Sequence, residues 1–259
     1  MDEFHALFAV DIEDFSGHRD VDLPVLQIAM RTAVDAAFAD CGLSAVWRSV
    51  DFLESTGDGL LAILPLASLA TLVDRLPGKL QERLAEGAPG LRGRGMRLRI
   101  RLAVHVGMTD GTRAEAPGVS RALVDVCRLL DGGPLRDALK LSDPLVTHTA
   151  LLVSEAAFTA FVAAGRTGLS PSQFTQVEVE VKRFRQPAYL YVPVPSRGQQ
   201  PPGASPGRPA RPGPPADSGA VTNSVSGSTF HGPVIQGRDM PSIDLRSYRT
   251  SEAAPDGRE

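Results

Sequence analysis

The composition of the chain changes sharply near Pro193, and this change limits where a folded domain can lie. From there the sequence reads "PVPSRGQQPPGASPGRPARPGPPADSG", which is dominated by proline, glycine, serine and arginine. A stretch of this kind lacks the apolar surface needed to offset the entropy of ordering the chain. We therefore predict a folded domain over residues 1–195, a disordered linker over residues 196–219, and little regular structure beyond them.

Composition and charge exclude several classes of protein. The chain has 259 residues, of which 42% are hydrophobic, and a formal net charge of -3, so a nucleic-acid partner is not predicted. Cys41 and Cys127 lie far apart without partners at ligand spacing, which argues against a disulfide framework or a zinc site. No segment approaches the length of a membrane span, and the first residues lack the basic start of a signal peptide. We expect a soluble, cytoplasmic protein with no membrane partner.

The amino-terminal half alternates between strand and helix patterns. "FHALFAVD" predicts a buried strand, and residues 22–42 have apolar side chains at helical spacing. The apolar runs "LSAVWRSVDFLES" and "GLLAILP" flank "TGDG", which is typical of a β-hairpin. "LASLATLVDRL" predicts a helix that ends at Pro77-Gly78, followed by a glycine-rich loop.

The second half continues the same alternation. "MRLRIRLAVHV" predicts a half-exposed strand, "GVSRALVDVCRLLDGGPLRDAL" a helix broken at Gly132-Gly133-Pro134, and "ALLVS" a buried strand whose Ser154 caps the next helix. "QVEVEVKRF" and "PAYLYVPV" predict two closing strands. The order β-α-β-β-α-β-α-β-α-β-β indicates an α+β fold, a ferredoxin-like mixed sheet with helices covering one side.

Two aspartates lie where the first strand and the hairpin would meet. Asp11 ends the first strand in "FAVDIEDFSGH", and Asp58 lies in the hairpin turn. If those strands pair, the two carboxylates come together in the outline of a divalent-metal site. The alternative is that Asp11 ends a strand and Asp58 fills a turn for local backbone reasons only. Taken alone, each aspartate favours this local interpretation.

Six segments, taken in order, resemble the class III nucleotidyl cyclases, the family of adenylyl and guanylyl cyclase catalytic domains. "FAVDIEDFS" and "STGDGLLAILP" are similar to the two metal motifs of that family. The segments "RIRLAVHVG", "VCRLL", "LLVSEAAF" and "VEVEVKRFRQPAYLYV" follow in the family's order. The resemblance covers about residues 4–193 and lies in the order of the segments. It implies a class III cyclase-like fold, a nucleoside triphosphate as partner, and a homodimer or heterodimer.

The resemblance also implies roles for individual residues. Asp11 and Asp58 would hold two Mg²⁺ (or Mn²⁺) ions that activate the ribose hydroxyl and neutralise the leaving pyrophosphate, and the backbone carbonyl of Ile12 would assist one ion. Glu54, four residues before Asp58, would read the base and weakly favours guanine, since a carboxylate can accept two hydrogen bonds from that base edge. A solvent-facing strand glutamate is the equal alternative for Glu54.

Other positions depart from the family pattern. Arg128 matches the family's catalytic arginine, but the expected asparagine one helical turn earlier is Val124, which cannot donate a hydrogen bond. Lys182 matches the structural lysine of the last hairpin, whereas Phe184 stands near the catalytic one; Arg183 or Arg185 are the alternative cations there. Metal binding is therefore better supported by the sequence than turnover.

Residues 220–240 form an apolar island, "AVTNSVSGSTFHGPVIQGRDM", before a predicted disordered tail over residues 241–259. The island resembles the bacterial amyloid signalling motifs, which are similar to the RIP homotypic interaction motif. The match lies at Asn223, Ser226, Gly227, Gly232, Val234, Ile235, Gln236 and Asp239. A β-branched pair followed by glutamine suits in-register stacking, whereas Pro233 argues against a long strand and keeps plain linker as the alternative. The resemblance implies an amyloid-motif-bearing nucleotide-binding receptor protein as partner.

Two functions follow from these resemblances. The first is an intracellular bacterial signalling protein in which a divergent, inactive cyclase-like domain is recruited through the C-terminal motif. The second is an active Mg-dependent cyclase that converts a nucleoside triphosphate, with a weak preference for GTP, to a 3',5'-cyclic nucleotide and pyrophosphate. Val124 and Phe184 favour the first function.

Overall fold

The computed structural model describes residues 3–50, 52–55, 57–109 and 120–197, with backbone alone for residues 52–55. Nearly all of the predicted linker, the amyloid-type segment and the terminal tail therefore lie outside the described residues. None of the described helices is long and apolar enough to cross a bilayer.

In the part of the chain that the structure describes, seven strands form one mixed sheet. They are β1 (Glu3–Ile12), β2 (Phe52–Ser55), β3 (Gly59–Pro65), β4 (Ile100–Thr109), β5 (Thr149–Ser154), β6 (Thr175–Val181) and β7 (Phe184–Tyr191). Their spatial order is β2-β3-β1-β4-β5-β7-β6. Strands β4 and β5 run parallel, and the other neighbouring pairs run antiparallel. The predicted α+β fold with a mixed sheet is confirmed.

Helices cover both faces of this sheet. They are α1 (Leu23–Asp40), α2 (Ser44–Arg48), α3 (Leu69–Asp74), α4 (Leu76–Arg92), α5 (Arg121–Leu130), α6 (Gly133–Lys140) and α7 (Glu155–Ala157), which continues as a π-helical turn over Phe158–Ala163. One core contains apolar residues of α1 to α4 and α7, and a second core on the opposite face contains those of α5 and α6. The prediction of a sheet covered on one side, with a half-exposed fourth strand, was therefore wrong.

An aromatic cluster fixes α1 and α2 against the first strand. Phe8 of β1 meets Phe38 of α1 edge to face with ring centroids 5.4 Å apart, and Trp47 of α2 stacks on Phe38 at 4.1 Å. The indole Nε1 of Trp47 donates to Asp35 Oδ1 at 2.6 Å, so its polar atom is satisfied within the cluster. The run containing Trp47, predicted as part of a hairpin strand, is a helix because its aromatic side chain anchors that turn to α1.

Helix α4 occupies the region predicted to be a loop. Pro77 lies in its first turn, where the missing N–H has no intrahelical partner to lose. Leu76, Leu80 and Leu84 are buried at helical spacing, and their packing outweighs the low helix propensity of the glycines that follow. The proline thus begins a helix where the sequence suggested that it ended one.

Several local signals were read correctly. Strands β2 and β3 pair antiparallel, and Gly57 in the turn between them has a φ of +89°, which favours glycine. The helical segment is interrupted between α5 and α6 at Gly132, as predicted. Ser154 caps the helix after β5 by accepting a hydrogen bond from the backbone N–H of Ala157 at 3.3 Å.

Candidate functional site

The register of the sheet places Asp11 beside the hairpin that carries Asp58. Asp11 of β1 pairs with Gly59 of β3 on one side and with Arg101 of β4 on the other. The backbone N–H of Ile12 donates to the carbonyl oxygen of Asp58 at 2.9 Å. Asp58 therefore lies in the turn just before β3, beside the end of β1 that carries Asp11, as the sequence predicted.

Arg101 holds the carboxylate of Asp11 in a bidentate ion pair. Its Nε donates to Oδ1 at 2.7 Å and its Nη2 donates to Oδ2 at 2.6 Å. The side chain of Asp11 is 10% exposed and that of Arg101 is 13% exposed. Parallel charge-assisted hydrogen bonds of this kind fix both geometry and charge, and they are strongest where water is excluded.

Burial sets the proton affinity of the Asp11 carboxyl. Removal from water raises its pKa to about 7, although the charge of Arg101 and its hydrogen bonds act in the opposite direction. The carboxylates of Asp58 and Asp131 raise the pKa further, which places both of them within electrostatic reach of Asp11. The carboxyls of Asp58 and Asp131 and the guanidinium of Arg101 therefore all influence the charge of Asp11.

This arrangement does not fit a divalent ion at Asp11. Both oxygens of the carboxylate accept hydrogen bonds from Arg101, and a guanidinium this close repels a second cation. Among the residues that the structure describes, no three His, Cys, Asp or Glu side chains group as a metal site. The Mg²⁺ or Mn²⁺ site of Asp11 and Asp58 stays a prediction, as does the role of the Ile12 carbonyl.

Glu54 lies in β2 at the edge of the sheet, where its backbone pairs with Leu61 of β3. Strand β2 is the direct neighbour of β3, which follows the turn that carries Asp58, and strands β3 and β1 separate β2 from β4. Its side chain lies outside the described residues, so its role as a base reader stays a prediction.

Arg128 of α5 contacts one residue of its own helix and one residue at the start of β7. Its Nη1 lies 3.7 Å from Oδ1 of Asp125, and its guanidinium carbon lies 5.6 Å from the centroid of the Phe184 ring. Val124, one helical turn earlier, is 44% exposed. Phe184 is only 2% exposed and belongs to the core beneath α5 and α6. The arginine therefore stacks on a core phenylalanine, and the residue one turn earlier offers an apolar surface.

Lys182 lies far from Asp11 within one chain. It is exposed in the two-residue turn between β6 and β7, with a φ of +56°, and β6 is the outermost strand at that side of the sheet. Three strands separate β6 from β1, and strands lie about 4.8 Å apart, so β1 and β6 are on the order of 19 Å apart. A single chain does not bring Lys182 to the aspartates.

The "HVG" segment of β4 serves packing under α5. A β-carbon added at Gly107 would overlap the Cβ of Ala122, so the glycine permits the close approach of helix and strand. His105 lies two residues earlier, and burial lowers the pKa of its imidazole, while Asp125 acts in the opposite direction. His105 is therefore neutral at pH 7.

Sequence reasoning missed Arg101. Arg97, Arg99 and Arg101 alternate with the apolar residues of "MRLRIRLAV" and were assigned to a solvent face. Since α5 and α6 cover that face, Arg99 is buried and Arg101 is nearly so. A cation in register with an aspartate on the neighbouring strand was the available signal, but using it required the register of β1 and β4.

Comparison with known proteins gives structural likenesses only. No family model matches the chain, and no curated protein matches it. The guanylyl cyclase Cya2 is 14% identical, with a TM-score of 0.45 over 77% of this chain and 95% of that one. An adenylate cyclase from Trypanosoma brucei in its monomeric state is 17% identical, with a TM-score of 0.47 over 76% and 91%. The catalytic core of a rhodopsin-guanylyl cyclase is 13% identical, with a TM-score of 0.41 over 75% and 97%. Because each TM-score lies below 0.5, these likenesses carry no inference about the activity of this chain.

Proposed function

We propose that residues 1–195 form a divergent nucleotide cyclase-like domain that binds a nucleoside triphosphate with little or no turnover and acts as an intracellular signalling effector. A C-terminal amyloid-type segment over residues 220–240 recruits the domain to a nucleotide-binding receptor protein that bears a similar motif. The domain functions as a dimer in the cytoplasm. Both sequence resemblances support this proposal, since a cyclase-like domain joined to a recruitment motif is a signalling arrangement.

The observation that carries the loss of turnover is the environment of Arg128. In the family that the sequence resembles, this arginine works together with an asparagine one turn before it. Here the earlier position is the exposed, apolar Val124, and the Arg128 guanidinium lies over the buried Phe184 ring. Loss of one donor to a transition state costs on the order of 10²–10³ in rate. Two missing donors leave mainly a binding site.

A second candidate function is the active Mg-dependent cyclase, with a weak preference for GTP. The observation in its favour is that Asp58, in the turn before β3, lies beside Asp11 of β1, with the N–H of Ile12 bonded to the Asp58 carbonyl. The bidentate pair of Asp11 with Arg101 weighs against it.

Incubation of the full chain with Mg²⁺ or Mn²⁺ and each of the four nucleoside triphosphates distinguishes these functions. We expect binding of at least one triphosphate by isothermal titration, with only trace cyclic product by mass spectrometry. Cyclic product at an ordinary enzymatic rate, abolished by Asp11→Asn, would establish the second function. Absence of any nucleotide binding would remove both functions.

The recruitment segment can be tested as a peptide of residues 220–240. We expect fibres that raise thioflavin fluorescence and seed the full chain, because stacked Val234, Ile235 and Gln236 form a dry, hydrogen-bonded ladder. The matched control replaces Val234 and Ile235 with aspartate, whose repulsion between stacked copies should prevent assembly. A wild-type peptide that stays monomeric at high concentration would contradict the proposed recruitment.

A further inference from the structure

The carboxylate of Asp11 is already paired with a positively charged side chain. Both of its oxygens accept hydrogen bonds from the Arg101 guanidinium, at 2.7 and 2.6 Å, and both side chains are nearly buried. The two residues are direct register partners on the central strands β1 and β4. Central strands of a sheet hold their cross-strand pairs in fixed geometry, so this contact is built into the fold.

The charged groups around Asp11 are consistent with Arg101 being its counter-ion. Asp58 and Asp131 lie within electrostatic reach of Asp11, and Arg101 is the cation that hydrogen-bonds to it. A buried carboxylate without a counter-charge would be protonated or would require a bound cation. The guanidinium supplies that charge from within the chain.

We propose that Arg101 is the resident counter-ion of Asp11, and that it occupies the position that a divalent ion would need. A divalent ion binds at Asp11 only by displacing or outcompeting this guanidinium, so Arg101 sets the metal affinity of the site. This inference deepens the proposed function and rests on it for the assignment of Asp11 to a cation site. It identifies Arg101, rather than the loss of an acidic ligand, as the feature that keeps metal affinity low.

The effect of Arg101 on metal affinity can be measured without any catalytic activity. Mn²⁺ bound to protein loses its free-ion signal in electron paramagnetic resonance, so titration of the full chain gives its affinity directly. We expect Arg101→Gln to bind Mn²⁺ about tenfold or more tightly than the wild type, because the substitution removes a positive charge in contact with the carboxylate. Arg101→Lys should give an intermediate affinity, since it keeps the charge and loses the bidentate fork.

Two further variants control for charge and for location. Arg121→Gln removes the same charge from the same face of the domain, where Arg121 pairs with Asp125 at 2.9 Å and is 73% exposed. We expect its Mn²⁺ affinity to differ from the wild type by less than about twofold, as exposed charges are screened. The double variant Asp11→Asn with Arg101→Gln should lose the gained affinity, because the carboxylate itself is gone.

The Mn²⁺ titrations can support or overturn the inference about Arg101. Equal Mn²⁺ affinity for the wild type and Arg101→Gln, or a gain that persists in the double variant, would overturn it. If circular dichroism finds Arg101→Gln unfolded, Arg101→Lys takes its place, and a wild-type affinity in that variant would overturn the inference. Cyclic product from the wild type would instead contradict the proposed loss of turnover and leave the Mn²⁺ comparison intact.

Discussion

Replacing Arg99 with methionine should lower the free energy of unfolding by about 3–5 kcal/mol, the cost of removing one partner from a buried charged network. Arg99 is 3% exposed. Its Nε donates to the carbonyl of Thr147 at 3.1 Å, and its Nη2 donates to Ser142 Oγ at 2.6 Å and to the carbonyl of Leu139. Its Nη1 lies 3.3 Å from Glu13 Oε2. Loss of the guanidinium would remove the donor that reaches the Thr147 carbonyl and Ser142 Oγ, and it would remove the positive charge beside Glu13.

The same substitution at Arg97 provides the control. Arg97 lies two residues earlier and is exposed, so Arg97→Met should change the free energy of unfolding by less than about 0.5 kcal/mol. Urea unfolding followed by circular dichroism measures both variants. Similar stabilities for the two would mean that the Arg99 network contributes nothing to the fold. Burial also lowers the pKa of Arg99, opposed by Glu13, which accords with a guanidinium held by the protein rather than by water.

The elements that the sequence predicted well have local causes. A glycine with positive φ, as at Gly57, fixes the hairpin, and the Ser154 hydroxyl satisfies an N–H at the start of a helix. The order of strands and helices follows from hydrophobic periodicity along single segments. None of these signals depends on which strands become neighbours.

The errors share a different cause. Arg99 and Arg101 read as solvent-facing in an alternating strand because the sequence does not reveal that α5 and α6 cover their side of the sheet. Pro77 reads as a helix end because its position in the first turn depends on where buried leucines of α4 begin to pack. In each case the local sequence was compatible with two structures, and tertiary packing selected the one that was not predicted.

In the candidate site too, local sequence predicts some features, and others depend on which strands are neighbours. The adjacency of Asp11 and Asp58 could be inferred from a strand followed by a hairpin, and the register agrees with it. The ion pair of Asp11 with Arg101 required knowledge that β4 is the other neighbour of β1. The distance of Lys182 from the aspartates required the full strand order, in which β6 is an edge strand.

Replacing Phe184 with alanine should lower the free energy of unfolding by about 3–5 kcal/mol, as is usual when a buried phenylalanine leaves a cavity. The ring is 2% exposed, lies in the core with residues of α5 and α6, and stacks against the guanidinium of Arg128. Arg185→Ala is the matched control, because Arg185 is 71% exposed and its ion pair with Glu178 spans 3.4 Å at the surface. We expect it to change the stability by less than about 0.5 kcal/mol in the same urea unfolding experiment.

The Phe184→Lys variant tests whether the fold can accommodate a lysine at this position. Position 184 stands near the catalytic lysine of the family that the sequence resembles, yet here it is a core position. An ammonium group placed there would lose its water without gaining a partner, so this variant should be less stable than Phe184→Ala. If Phe184→Lys instead unfolded at the wild-type urea concentration, the ring would not be a structural requirement, and a lysine at that position would be compatible with the fold. The expected loss means that recovery of a catalytic lysine would require repacking beneath α5, not a single substitution.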